Sequence, residues 1–312
     1  MTPFFSVLIV TYNSDWDKTR QTLYSVLSQK NTDIQIVIAD DGSNDNSFEK
    51  IRQYFRAASF TNYYLVENKR NQGTVKNILS ALPFCKGNYI KPLSPGDFLY
   101  NDTTLYDFMK FIDKQPATVY FGNMFYYSIN ADKSITVHNK KNPRDLRPWK
   151  NRDMNKVRWN YLVYRDYICG AGVIYNTDKF RQYLALLADS VVFAEDMTIV
   201  YMIANNEPTY YINGKGGIWY EYGSGISTQK KADGRRTRLS EDIRNTFTHI
   251  FNDGLISEWL YKMHFSENKT ESRILRIIHA PNSCFFKFFK PSVKGYDGID
   301  FDLNELRMIL MQ

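Results

Sequence analysis

FFSVLIVTY, residues 4–12, is a continuous apolar run rich in β-branched and aromatic residues, and it stops at Asn13-Ser14. It is too short for a typical helix and shows no polar alternation, so it reads as a strand buried on both faces, as in the middle of a parallel sheet. IQIVIA, residues 34–39, is a second strand of this kind, stopped by Asp40-Asp41-Gly42-Ser43. Between the two, Trp16, Thr19, Leu23, Val26 and Leu27 recur at spacings of three and four, which is one face of a helix. The alternation continues with a helix over 46–55, a strand over 62–66, a helix over 74–84 behind Gly73, and a strand over 87–93 (GNYIKPL) running into Ser94-Pro95-Gly96-Asp97. Strands alternating with helices at this pitch specify an α/β sandwich on a mainly parallel sheet.

From about residue 116 the pattern turns aromatic and β-rich, with expected strands over 118–127, 134–139, 167–175 and 209–222. The polar, basic, Pro-containing stretch 139–156 is expected to be a mobile loop, and a helix is expected around 196–205. After residue 228 the chain becomes strongly basic (Lys230, Lys231, Arg235, Arg236, Arg238), with helical patterns over 240–251 and 255–265. The expected organisation is a catalytic unit over 1–228, with a nucleotide-binding half (1–115) and an acceptor-binding half (116–228), followed by a basic, aromatic helical region over 229–312. There is no internal repeat.

The 312 residues are 43% hydrophobic and 23% charged, enough to bury a sizeable core and inconsistent with disorder of the whole chain. No run reaches the roughly 18 apolar residues of a membrane span, and the N-terminus lacks a basic n-region and a cleavage site, so a cytoplasmic protein is expected. Cys85, Cys169 and Cys284 lie far apart and in no metal spacing, and His138, His249, His264 and His279 are scattered. A net charge of +7 and 16% aromatic residues favour anionic, ring-bearing partners: nucleotide phosphates, nucleic acid or an acidic membrane face.

In open α/β sheets ligands bind beyond the carboxyl ends of the strands. Strand one ends at Thr11-Tyr12-Asn13, strand two at Asp40-Asp41, and strand four at Asp97. An aromatic ring and several carboxylates on one rim suit a nucleotide. The ring stacks on the base, one acid accepts from base or ribose, and another holds a divalent cation on the phosphates. The plainer reading is that Asp40 and Asp41 only form a turn and cap the next helix.

The ordered series SVLIVTYN, IVIADDGSNDNS, ENKRNQGTVKN, GNYIKPLSPGD and FAEDMTIVYMIA, over residues 4–228, resembles the inverting glycosyltransferases of family 2, of the bacterial surface-polysaccharide type. The resemblance implies a GT-A fold (a Rossmann-like α/β/α sandwich), a nucleotide-diphospho-sugar donor with UDP the first choice, and Mn²⁺ or Mg²⁺. Carried over by position, it implies that Tyr12 and Asp41 contact the base, with Thr11, Asn13 and Asp40 beside them. Asn68, Gly73 and Asn77 would close over the nucleotide, Gly96 and Asp97 would meet the donor, and Asp97 would hold the metal. Asp196 would be the catalytic base, with Glu195 beside it. The acidic motif departs from the family's Asp-x-Asp-Asp pattern, because only Asp97 survives in Ser94-Pro95-Gly96-Asp97. The Gln-x-x-Arg-Trp motif of processive synthases is absent.

As a base, Asp196 stands under two opposed influences: burial raises a carboxyl pKa, while the N-terminus of the apolar helix that follows favours the charged form. Lys76, Lys91 and Arg144 are candidate cations for the leaving diphosphate. Tyr126, Tyr127, Trp149, Trp159, Tyr161, Trp219, Tyr220 and Tyr222 suit either a sugar-stacking acceptor groove or the core. Residues 273–290 (RILRIIHAPNSCFFKFFK) mix Ile, Leu and Phe with Arg and Lys, a composition suited to an anionic membrane surface and a lipid-linked acceptor. The C-terminal helices are candidates for homodimerisation. Competing readings are a catalytically weak or inactive scaffold of the same fold, a nucleotidyltransferase, and a basic nucleic-acid-binding protein. The nucleotidyltransferase lacks its Gly-rich, Arg-containing loop here, and acids at the strand ends would repel nucleic acid. A dinucleotide oxidoreductase is disfavoured because no G-x-G-x-x-G follows the first strand.

Overall fold

The computed structural model describes residues 5–44, 47–212, 217–223, 234–281 and 293–312. Its first half follows the sequence pattern closely: β1 (Phe5–Thr11), α1 (Trp16–Leu27), β2 (Ile34–Asp40), α2 (Ser47–Ala57), β3 (Tyr63–Glu67), α3 (Thr74–Ala81) and β4 (Tyr89–Leu93). Then come β5 (Phe98–Leu99), α4 (Thr104–Ile112), β6 (Val119–Phe121), β7 (Asn123–Ile129), β8 (Ile135–His138), α5 (Arg147–Lys150) and α6 (Met154–Val163). They are followed by β9 (Val173–Asn176), α7 (Thr177–Leu187), α8 (Met197–Ala204), β10 (Thr209–Tyr211) and β11 (Gly217–Glu221). The chain closes with α9 (Gly234–Asn252), α10 (Glu258–Phe265), α11 (Lys269–His279) and α12 (Leu303–Leu310).

Among the described residues the main sheet runs β10-β6-β9-β4-β1-β2-β3, with β1 parallel to β2 and β4, β2 parallel to β3, and β9 antiparallel between β4 and β6. The period of two explains why β1 and β2 carry no polar face. Phe5, Val7, Ile9, Ile36 and Ile38 point into one layer, while Leu8, Val37 and Ala39 point into the other. The chain runs outward from β1 through β2 to β3 and then returns to the other side of β1 as β4. The order therefore reverses beside β1, which is where a doubly wound sheet opens a crevice at its carboxyl rim.

A smaller sheet, β5-β11-β7-β8, packs Phe98, Phe125, Tyr127 and Trp219 against Leu306 and Ile309 of α12. Phe247, Ile250, Leu260 and Met263 of α9 and α10 belong to the same core as α8. The expected boundary near residue 228 falls outside the described residues.

Several expectations are corrected. Stretch 139–156 carries α5 and the start of α6, pinned by Trp149, which is buried edge-on against Phe121 at 4.8 Å. Of the strand expected over 167–175, only β9 forms; Gly170–Gly172 is a tight helical turn pressed against Asp196 and Met124. Neither α4 nor α7 was flagged by the sequence, yet both bury one apolar face. Tail residues 282–290 lie outside the described residues, whereas α11 covers all of 273–279.

Candidate active site

The rim is built by strand ends. Thr11, the last residue of β1, donates its hydroxyl to Asp40 Oδ1 at 2.8 Å. The same carboxylate accepts from the Ser43 backbone N–H (2.7 Å) and the Ser43 hydroxyl (2.6 Å), so Asp40 braces the turn after β2. Asn13 joins this turn through its N–H to Ser43 Oγ at 2.7 Å, and its side-chain oxygen accepts from Asn44 N–H. Tyr12 is 46% exposed, so its ring is available to a ligand.

Asp41 is buried and accepts from the Gln72 and Gly73 N–H groups at 2.9 and 2.8 Å. Burial raises its pKa, and these two amides pull it back. Asn68 donates to Asn77 Oδ1 at 3.0 Å, and Asn77 donates to the Ala39 carbonyl at 2.9 Å, so the loop after β3 is laced to the end of β2. Gly73 begins α3 at φ +90°, and a Cβ there would lie 2.3 Å from Val192 Cγ1. The Val75 N–H donates to the Val192 carbonyl at 3.0 Å. The loop carrying Gln72 and Gly73 therefore abuts the segment leading to Glu195-Asp196.

Glu195 and Asp196 are half-buried and Asp196 opens α8, where its side chain makes no capping hydrogen bond. Both carboxyls are raised above their ordinary values by burial, Glu195 further by the charge of Asp196. At Asp196 burial outweighs the hydrogen bond to its own backbone, and the carboxyl rises to about 6. Asp196 packs on Gly170, where an added Cβ would lie 2.7 Å from Asp196 Cβ.

The turn that carries Gly170 continues to Ala171, whose carbonyl accepts from the ammonium of Lys91. Lys91 is wholly buried in β4 and also donates to the Pro92 carbonyl at 2.9 Å. This corrects its candidacy as a phosphate-facing cation, because its protons are turned inward onto carbonyls. Burial lowers its pKa to about 7, with Asp97 opposing. Asp97, after a turn with Gly96 at φ +97°, is buried, and its pKa is pushed up to about 7 by that burial. It accepts a long backbone bond from Glu221 at 3.4 Å, while the Glu221 carboxylate lies against Gly96 and is held by Lys18 at 2.6 Å. Glu221 is a residue that the sequence reading missed.

The acids at 41, 97 and 196 thus belong to one frame, in which contacts run from Asp41 through Gly73 and Val192 to the Glu195-Asp196 segment and on through Gly170 and Ala171 to Lys91, and Asp97 is coupled by charge to Lys91 and Glu195. The cavity edged by Leu27, Asp33, Phe60 and Asn62 lies at the opposite, amino-terminal rim of β2 and β3. Among the aromatic candidates, Tyr126, Tyr127, Trp149, Tyr161 and Trp219 are core, Trp159 and Tyr220 are half-buried, and Tyr222 is exposed.

A hard divalent cation takes about six oxygen ligands. Among the described residues no cluster of three His, Cys, Asp or Glu side chains could hold one by itself. The Asp97 carboxylate accepts only from backbone groups, the long bond from Glu221 and one from Ser94, which leaves it free lone pairs, so Asp97 fits a cation whose remaining ligands come from a diphosphate and water.

Residues 6–184, more than half of the chain, match the description Glycosyl transferase family 2. The chain belongs to this family. It is a glycosyltransferase with a GT-A-like α/β fold. The glycosyltransferase is 30% identical to the Pasteurella multocida chondroitin synthase over 139 residues, 44% of this chain and 14% of that protein. It is 29% identical over 117 residues to the Staphylococcus aureus poly(ribitol-phosphate) β-N-acetylglucosaminyltransferase TarS, 37% of this chain and 20% of that one. The chain thus matches only a minor part of these relatives' length. The crystal structure of S. aureus TarS 1–349 in complex with UDP-GlcNAc superposes with a TM-score of 0.57 at 17% identity, covering 92% of this chain and 76% of that one.

Proposed function

We propose that this glycosyltransferase moves a sugar from a UDP-sugar, with inversion and with the help of Mn²⁺ or Mg²⁺, to a hydroxyl of a glycan or lipid-linked oligosaccharide in capsule or exopolysaccharide assembly. The observation that carries the reading is the frame linking Asp41, Asp97 and Asp196 at the carboxyl rim. Relatives named for polysaccharide chemistry and a structural neighbour solved with UDP-GlcNAc support the donor class and the acceptor class.

In this reading Tyr12 stacks on the base, and Asp41 orders the Gln72-Gly73 loop beside it. Asn68 and Asn77 fix that loop to β2. Asp97 would hold the cation, which when bound would supply positive charge to the departing diphosphate. Asp196, raised by burial toward the working pH, takes the proton of the acceptor hydroxyl as its oxygen bonds the anomeric carbon and the bond to the nucleotide diphosphate breaks. Attack from the face opposite the leaving group inverts that carbon. Glu195 braces Asp196 or binds the acceptor.

Residues 1–228 form the catalytic unit of this proposal and 229–312 the extension. No helix among the described residues is long and apolar enough to cross a membrane. On α11, Ile274, Ile277 and Ile278 are exposed beside Arg273 and Arg276, which supports a peripheral seat on the anionic inner face of the cell membrane.

The test is release and transfer of sugar from UDP-, GDP- and dTDP-sugars with Mn²⁺. Asp196→Asn should lower kcat by roughly 10²-fold or more, and Asp97→Asn should weaken Mn²⁺-dependent UDP binding measured by calorimetry. Unchanged turnover in both variants sinks the assignment.

A further inference from the structure

Helix α9, in the basic extension, devotes one face to a single segment of the catalytic unit. Arg238, Asp242, Asn245 and His249 recur at spacings of four, three and four, so they stack along one side of the helix. All four reach residues 190–194. Asp242 has no exposed side-chain surface and accepts from the backbone N–H groups of Val192 (3.0 Å), Phe193 (2.7 Å) and Ala194 (3.2 Å). Arg238 pairs with Asp242 at 3.3 Å and donates to the Ser190 carbonyl at 3.1 Å. Asn245 donates to that carbonyl at 2.7 Å, and His249 Nε2 lies 2.9 Å from Ser190 Oγ.

A carboxylate withdrawn from water is costly unless its oxygens are hydrogen-bonded. Here three consecutive amides meet that need with charge-assisted bonds, and the Arg238 guanidinium adds an ion pair. Those amides lie outside any strand and end at the residue before Glu195-Asp196. Their first member, Val192, is also the residue against Gly73 and the acceptor for Val75 N–H. One short segment therefore has the donor-side loop in front of it, the acid pair beside it and α9 behind it.

We infer that α9 clamps the 190–194 segment, with Asp242 as the positioning residue that fixes Glu195-Asp196 against the donor-side loop. The clamp rests on the proposed role of Asp196 only for its effect on turnover. Its mechanical part stands on the hydrogen bonds alone, and the experiment separates the two.

Hydrogen exchange on the full chain reads the mechanical part. Asp242→Asn keeps the shape but replaces one acceptor oxygen by a donor. The amides of Val192, Phe193 and Ala194 should then exchange about tenfold faster or more, while those of β1 and β2 keep their protection. Turnover of UDP-GlcNAc with Mn²⁺ reads the catalytic part: kcat should fall roughly 10–100-fold with KM within about threefold, because the base is misplaced while the donor loop still binds. Unchanged exchange at 192–194, or a uniform loss of protection across the sheet, overturns the clamp. A raised KM with unchanged kcat overturns the positioning of the acid pair. If the parent protein turns over no nucleotide sugar, the transfer reading fails and the exchange data still decide the clamp. Should Asp242→Asn fail to fold, Asn245→Ala is read the same way: about threefold faster exchange near residue 190 is expected, and none refutes the inference.

Discussion

Replacing Gly73 by alanine tests the join between the Gln72-Gly73 loop and the acid segment most directly. The backbone there sits at φ +90°, ψ 161°, a region nearly reserved for glycine, where any other residue costs about 1–3 kcal/mol. The added methyl would lie 2.3 Å from Val192 Cγ1 and 2.8 Å from the Val192 carbonyl oxygen. The side-chain atom can rotate away, but the carbonyl is tied by Val75 N–H, so overpacking adds about 1–3 kcal/mol. The expected total is roughly 2–6 kcal/mol, a large part of the 5–15 kcal/mol typical of a folded protein. Gly254→Ala is the control: φ is +70° and nothing lies within 4 Å of the added carbon, so only left-handed strain of about 1–2 kcal/mol applies. Urea unfolding of the two variants gives the difference. Gly73→Ala should be the less stable by about 1 kcal/mol or more, and its turnover should fall further than its UDP binding. Equal destabilisation in the two variants would refute the tight contact with Val192.

Three further outcomes are expected. His264 is held neutral, its pKa lowered to about 3 first by burial and then by Arg165, with Nε2 2.8 Å from the Leu162 carbonyl. Its folded pKa lies below the unfolded value of 6.5, so its share of stability is complete above pH 6.5 and is lost on acidification, at up to about 1.4 kcal/mol per pH unit. Asp97, Glu195 and Asp196 are raised and act in the opposite direction. The readout is therefore the difference from His264→Gln, whose unfolding free energy should fall less between pH 7 and pH 5; parallel curves would contradict the assignment. Burial pushes the thiols of Cys85 and Cys169 up to about 12 and about 11, so iodoacetamide at pH 8 should leave both unlabelled until the protein unfolds, as peptide mass spectrometry would show. Co-sedimentation with phosphatidylglycerol vesicles should drop by about threefold or more in Ile277→Glu and be weak on neutral vesicles; equal pelleting of both proteins would remove the membrane seat.

The order of the first seven elements was legible because each is specified locally. β1 and β2 are unbroken apolar runs, and α1 shows its helical spacing and starts at Asp15, whose side chain accepts from Lys18 N–H. The polar residues that stop the strands were equally local, so Thr11, Asp40, Asp41 and Asp97 could be placed on one rim from a parallel sheet alone. The aromatic half read poorly, since Tyr, Phe and Trp suit strands, helix faces and binding grooves alike. Only packing separates the buried Trp219 and Tyr161 from the exposed Tyr222.

What the chain dictated by itself is a parallel α/β sheet with acids at its carboxyl edge, because apolar periodicity and strand-stopping residues act over a few positions. Tertiary structure alone decided that Lys91 faces inward, that the Glu221 N–H reaches Asp97 across 124 residues of chain, and that Asp242, which looks like one more solvated charge on a basic helix, binds three amides beside the acid pair. Such contacts join residues far apart in the chain, and the charge of a side chain carries no record of which distant backbone will satisfy it.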